Sequence, residues 1–319
     1  MSVLVTGGCG FVGTHVAHAL TARGDDVVLF DAAVPEPELV ARRFGPRATV
    51  VAGDITEPAC LPEVMRRHAV TSVVHAAAIV GVAASARSPA HAVRVNVDGA
   101  LDVFEAGVEA GVRRVVDLSS EEVYGHFPRD PVTEDSPREP ISPYGISKLA
   151  VEQLGGHYAD HRGLDYVAVR LSWVYGPGFP RRRLPHPWLE DIAAGRNSRL
   201  PRGGDQRIDF TYVSEAVRGI LAIHDAPRLT HRSYNIASGT GTSIRRLADL
   251  LREQRPTWEA CVGDGPLELA PGVEAARKGA LSIERAREEL GYQPMVSLAD
   301  GLERTLRSLV AGPERADAR

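Results

Sequence analysis

"TGGCGFVG", residues 6–13, follows the apolar run "SVLV" at 2–5 and precedes "THVAHALTARG" at 14–24, whose apolar residues recur at helical spacing. Gly7, Gly10 and Gly13 stand in a G-x-x-G-x-x-G pattern, with Phe11 and Val12 inside it. Glycine at a strand-to-helix turn permits the tight bend and lets backbone N–H groups at the helix start approach a pyrophosphate. The next apolar run, "DVVLFD", ends on Asp31. Its carboxylate lies about 20 residues on, where such a group binds ribose hydroxyls. A carboxylate there repels a 2′-phosphate, and "AAVPEPE" at 32–38 supplies no arginine to receive one, which favours NAD over NADP. Asp54 and Ile55, closing the third apolar run, are expected against the adenine; Asp54 taken alone is more often a turn residue.

Outward from this turn, short β-rich runs alternate with helical patterns: "ATVVAGD", "TSVVHAAA", "VNVDGALDVFEAGVEAGV", "RRVVDLSS", then "SPYGISKLAVEQLGGHYADHRG" with a Ser-Pro start, and a further strand "DYVAVRLSWVYG". That alternation predicts βαβ units and a parallel sheet buried on both faces. Beyond Gly176 prolines and arginines crowd "PGFPRRRLPHP", and the last third holds "SIRRLADLLREQ" and "SIERAREELG" as helical patterns. The expected division is a nucleotide domain at 1–175 and a mainly substrate-binding lobe at 176–319. The boundary is one the chain can cross again, near 205–237. The end, "GPERADAR", is expected to fray.

Composition narrows the function. The chain has 319 residues, 44% of them hydrophobic and 24% charged, which suits a globular enzyme. A formal net charge of -4 leaves no basic footprint for nucleic acid and no polybasic patch for a membrane surface. Cys9, Cys60 and Cys261 are widely spaced and odd in number, which argues against a disulfide framework and for the cytoplasm. The start breaks into glycines and is not expected to be a signal peptide. His157, His161 and His186 lack metal-ligand spacing, so no metal is expected. His75 reads as a packed core histidine.

A second motif is "YGISK", 144–148. Tyr144 and Lys148, four apart, share one helix face. A cation beside a phenol favours the phenolate and draws its pKa from about 10 towards neutrality, making a general base. Ser120, upstream in "LSSEEVYG" at 118–125, offers a hydroxyl to the same substrate oxygen.

Taken in order, "TGGCGFVG", Asp31, "HAAA" at 75–78, Asn96, "SSEEVYG", "YGISK", "RLSWVYGPG" and "YNIASGTGTS" resemble the extended short-chain dehydrogenase/reductase family of NAD-dependent sugar epimerases and dehydratases. The resemblance spans nearly the whole chain. It implies an α/β fold, a Rossmann-type doubly wound parallel sheet with a smaller C-terminal α/β substrate lobe, and a homodimer through helices near 97–110 and 144–160. It assigns Ser120 to the catalytic hydroxyl, Tyr144 to the base and Lys148 to its partner and ribose contact, and adds Ala76, Ala77 and Asn96 to the cofactor contacts.

Glu121 and Glu122 follow Ser120 directly. Strand alternation is expected to put Ser120 and Glu122 on one side and Glu121 on the other. In the sugar-nucleotide 4,6-dehydratases that the chain resembles, a Thr-Asp-Glu triplet occupies these positions, with the Asp as acid and the Glu as base. Common 4-epimerases carry small uncharged residues there. A plainer reading pairs the two carboxylates with arginines. The substrate lobe departs from nucleotide-sugar binders of the family, which often carry Asn at Trp173 and Arg at Ile208. Arg181 to Arg183, Arg207 and Arg277 with Lys278 are candidate phosphate donors.

The expected activity is NAD-dependent epimerisation of a sugar, a nucleotide sugar by preference, through a transient ketone. Three alternatives stay open: a 4,6-dehydratase using Glu121 and Glu122, a dehydrogenase of a free sugar or sugar acid, and a non-catalytic NAD-binding regulator.

Overall fold

The computed structural model describes residues 1–57, 59–180 and 182–311. Arg181 and the expected frayed tail at 312–319 lie outside them.

In chain order the elements are β1 (Ser2–Thr6), α1 (Phe11–Ala22), β2 (Asp26–Asp31), α2 (Pro37–Phe44), β3 (Ala48–Ala52), α3 (Cys60–Arg67), β4 (Ser72–His75), α4 (Val82–Arg87), α5 (Pro89–Val93), α6 (Gly99–Ala110), β5 (Val115–Ser120), α7 (Pro143–His161) and β6 (Tyr166–Leu171). There follow β7 (Trp173–Tyr175), α8 (His186–Ala193), β8 (Ser198–Leu200), β9 (Arg207–Tyr212), α9 (Val213–Asp225), β10 (Ser233–Ile236), β11 (Gly241–Ser243), α10 (Ile244–Gln254), β12 (Ala260–Val262), β13 (Glu268–Ala270), β14 (Val273–Glu274), α11 (Glu284–Leu290) and α12 (Leu298–Ala311).

Seven strands form one parallel sheet in the order β10-β6-β5-β4-β1-β2-β3. Alternate residues feed two cores. Val3, Val5, Val27, Leu29 and Val116 pack with α1 and α9 on one face, and Leu4, Val28, Phe30 and Val115 pack with α3, α6 and α7 on the other. Burial on both faces is why these strands read as continuous apolar runs. A third core joins Trp173, Trp188, Phe210, Leu247, Trp258 and Leu302 in the smaller lobe. There β9 lies between β7 and β11, and β12 pairs with β8. The chain re-enters the large sheet with β10, at its β6 edge.

Helix termini follow their local signals. Ser142 caps α7 by accepting the Gly145 N–H at 3.1 Å, with Pro143 in the first turn, and α6 stops at Gly111, held at φ 64°.

Two expectations fail locally. The strand read through "DYVAVRLSWVYG" is two: β6 ends at Leu171, and Trp173 begins β7 in the other sheet. Between them the Ser172 hydroxyl lies 2.7 Å from the Asp209 carbonyl oxygen, tying the chain to β9. The alternation expected through Glu122 also fails. β5 stops at Ser120, and Glu121–Tyr124 is a turn of 3₁₀ helix capped by Ser120 Oγ, which accepts the Glu122 N–H at 3.2 Å. A local side-chain cap outcompetes the strand ladder.

Candidate active site

β1 and β4 are neighbours in the sheet, and the chain leaves them in opposite directions. Beyond their carboxyl ends opens the crevice where α/β sheets of this winding bind ligands. A cavity of about 910 Å³ occupies it.

Gly7, Gly10, Phe11, Val12 and Gly13 line one end. Gly7 has φ 65°, and a Cβ there would lie 2.6 Å from the Ala77 nitrogen; on Gly13 it would lie 2.2 Å from the Gly7 carbonyl oxygen. Only glycine lets the turn, α1 and the backbone of Ala76–Ala77 close to this degree. Gly10 stands at the N-cap of α1 with no side-chain cap, and the first turn holds no acidic residue, leaving N–H groups for an anion. Asp31 accepts the Cys9 N–H on Oδ2 and the Ala33 N–H on Oδ1, both at 3.0 Å, which spares carboxylate lone pairs for a ribose. Asp54 and Ile55 line the same wall, joined by Phe30 and Gly53. The Thr56 N–H and hydroxyl both donate to Asp54 at 2.9 Å and hold its carboxyl below its usual range. This end fits NAD on donor chemistry and on shape.

The other end carries Ser120, Glu121, Glu122, Tyr144, Lys148 and Trp173. α7 is seated close to the 121–124 turn: a Cβ on Gly145 would lie 2.4 Å from the Glu122 carbonyl oxygen. The Tyr144 N–H donates to Ser85 Oγ at 3.1 Å, and Ser147 Oγ donates to the Tyr144 carbonyl at 2.8 Å. Asn96 does not line the cavity. Its amide donates to Ser147 Oγ and the Ile79 carbonyl and accepts the Ile79 N–H, so it bolts the cavity wall to the start of α7. Lys148 is buried at 2% exposure, with Nζ 3.9 Å from Asp117 Oδ1. His75 is a core residue: it shares a 2.7 Å hydrogen bond with Thr6 Oγ1, and burial, helped by the Lys148 charge, pushes it down to about 3.

The two carboxylates have different surroundings. Glu122 Oε1 lies 3.4 Å from Lys278 Nζ, which also donates to the Glu121 carbonyl at 3.3 Å. Glu121 is 2% exposed, and its Oε2 lies 2.7 Å from Ser172 Oγ. Ser172 has one hydroxyl hydrogen and a second acceptor, the Asp209 carbonyl, also at 2.7 Å. A carbonyl only accepts, so both short contacts are satisfied together when the Glu121 carboxyl is protonated and donates to Ser172. Burial raises Glu121 to about 7 against the pull of Lys278, in accord with that arrangement.

The substrate arginines divide. Arg182 and Arg183 line the cavity, with the Arg183 guanidinium 4.4 Å over the Trp173 ring. Arg207 is off it, bound to Asp130 at 2.7 Å and to the Gly241 carbonyl. Arg277 is exposed and off the cavity wall; its backbone N–H donates to His126. Sequence reasoning missed Ser172 as the partner of Glu121 and Asp117 as that of Lys148, because each pair joins separate elements with no local signature. Among the described residues no group of three or more His, Cys, Asp or Glu could hold a metal, and no helix is long and apolar enough to cross a membrane.

Residues 3–237 match the profile of the NAD dependent epimerase/dehydratase family. A UDP-glucose 4-epimerase of Mycolicibacterium smegmatis is 31% identical over 318 residues, covering 96% of this chain and 97% of its own. The crystal structure of a UDP-glucose 4-epimerase from Thermotoga maritima, with UDP-glucose, superposes with TM-score 0.87 at 30% identity over 97% of this chain and 98% of its own. A dTDP-glucose 4,6-dehydratase from Streptomyces venezuelae, solved with NAD bound, superposes with TM-score 0.85 at 29% identity over 98% of each chain.

Proposed function

Because the chain belongs to the NAD-dependent epimerase/dehydratase family, we propose that it epimerises a nucleotide sugar at C4 through a transient 4-ketone. The observation that carries this reading is the meeting of Ser120, Tyr144 and Lys148 in the cavity that also holds the glycine turn and Asp31. When bound, NAD supplies reversible hydride acceptance at the sugar carbon. Gly7, Gly10, Gly13, Asp31, Asp54, Ile55, Ala76 and Ala77 hold it, with Asn96 acting through the wall it fastens. Tyr144 takes the proton of the sugar hydroxyl and later returns it. The Lys148 ammonium on the same helix face favours the phenolate form. Ser120 Oγ hydrogen-bonds the substrate oxygen and keeps it against Tyr144. Trp173, Arg182 and Arg183 border the sugar-nucleotide end.

Interconversion of UDP-glucose and UDP-galactose with added NAD tests this. Tyr144→Phe should lower kcat by about 10²- to 10⁴-fold, the range for a positioned general base. Turnover undiminished in Tyr144→Phe would sink the reading.

Dehydration is a second reading, favoured by the proton that the Ser172 contacts require on Glu121. Beside a C4 ketone the C5 proton is acidic; Glu122 would remove it while Glu121 protonates the hydroxyl departing from C6, and return of the hydride to C6 with a solvent-exchanged proton to C5 would complete the loss of water. In heavy water this route gives a product lighter by one water and carrying carbon-bound deuterium. Simple C4 inversion gives unchanged mass and none.

The same reading divides the chain into a nucleotide domain at 1–175, rejoined by β10, and a substrate lobe. It makes the protein a cytoplasmic homodimer through α6 and α7. Three unpaired cysteines and the exposed Ile146 on α7 support it. Light scattering at twice the chain mass is the expected result.

A further inference from the structure

Asp117 is an acidic residue in the middle of the most enclosed part of the sheet. It sits on β5 between His75 of β4 and Ala168 of β6, with no exposed surface. Burying a carboxyl there is costly unless it is matched. Oδ2 accepts the Tyr166 hydroxyl at 3.1 Å. Oδ1 accepts no hydrogen bond, and what faces it is the Lys148 ammonium, 3.9 Å away.

On the cavity side Glu121, raised to about 7 by burial, bonds Ser172, and Glu122 faces Lys278; the groups inside the sheet have partners of their own. On β4, His75 is neutral and bonded to Thr6 of β1. On α7, Glu152 accepts two bonds from Arg170 of β6, at 2.9 and 2.7 Å, and one from Ser119 of β5. Tyr124 also takes a bond from Arg170. Asp117 and Lys148 are therefore left as each other's counter-charge, with Tyr144 one helical turn from Lys148.

We propose that Asp117 is a positioning residue for the Tyr144–Lys148 pair: its carboxylate holds the ammonium under the active-site floor and sets the pH window in which the pair works. This rests on the reading of Tyr144 as base. The sign follows from electrostatics alone. An anion stabilises a nearby ammonium and opposes a nearby phenolate. Removing it is expected to move the pH window of the pair downward. Burial, with Glu152 adding to it, raises the Asp117 carboxyl above its usual range, and the Lys148 ammonium and the Tyr166 hydroxyl oppose that rise.

Asp117→Asn and Asp117→Ser, made in the full chain, remove the charge at two different sizes. The pH dependence of UDP-glucose turnover with saturating NAD should show the alkaline limb shifted to lower pH in both, by about one unit or more, and the acid limb shifted the same way by less. A measurement without turnover runs alongside. Phenolate absorbance, taken as the difference between each protein and its Tyr144→Phe counterpart, should appear at lower pH in both variants. If both fold, as judged by circular dichroism, and neither the limbs nor the absorbance onset moves, the proposal is overturned and Asp117 is structural. Retained turnover in Tyr144→Phe would instead remove the base reading; the phenolate titration reads Asp117 separately from it.

Discussion

Glu121 shows how much one side chain's surroundings decide. Its carboxyl is raised from 4.5 to about 7 by burial, so the folded state holds its proton more tightly than the unfolded chain does. That contribution to stability is complete below about pH 4.5 and is lost as pH rises through about 7. Glu121→Gln keeps a donor for Ser172 and carries no charge. It should therefore raise the melting temperature at pH 8 by several degrees, for up to about 3 kcal/mol at about 1.4 kcal/mol per unit, and change little at pH 4.5. Equal melting shifts at both pH values would contradict the protonated form. The pair of adjacent glutamates was legible in the sequence. Their different roles were not, because Ser172, Asp209 and Lys278 reach them from 51 or more residues away.

At the scale of elements, close approach governs the site. The G-x-x-G-x-x-G turn could be read directly, since no other residue type meets its steric demand. Gly13→Ala would drive a methyl against the Gly7 carbonyl oxygen, and NAD affinity measured by calorimetry should fall at least tenfold. Gly145, inside "YGISK", carries a comparable demand that the Tyr144–Lys148 spacing does not announce. Gly145→Ala meets the Glu122 carbonyl and Pro140, which pushes the first turn of α7 from the 121–124 turn. It should lower kcat at least tenfold while NAD affinity stays near that of the parent. Loss of both together would place the defect in the fold instead. The alternation carried past the end of β5 to Glu122, and the single strand read through β6 and β7, failed for a related reason. Apolar periodicity marks where a strand lies, but a serine that caps a turn or bridges two sheets ends it without changing the pattern.

Across the whole molecule, a buried polar chain joins segments that the sequence keeps far apart. Arg170 on β6 binds Glu152 of α7, the Tyr124 hydroxyl and the Glu134 carbonyl; the Tyr124 hydroxyl donates to Asn235 on β10, whose N–H donates to Glu134. Arg170 is 1% exposed. Breaking a buried pair from one side strands the other charge, so Arg170→Met should cost about 3–5 kcal/mol in denaturant unfolding. Arg170→Met combined with Glu152→Leu should recover part of it. Additive losses would contradict the coupling.

The sequence by itself determined the parallel sheet, the nucleotide turn, the place of Asp31 at the end of the second strand and the Tyr144–Lys148 face, because each rests on a local pattern: apolar runs alternating with period-3.6 segments, or three glycines at one bend. Only the tertiary structure decided that Arg207 and Arg277 stand off the cavity, that Asn96 fastens a wall, that Glu121 leans on Ser172, and that Asp117 lies beneath Lys148. Those outcomes depend on which distant segments burial brings together, and the charge a buried group carries is set by neighbours that linear order does not name.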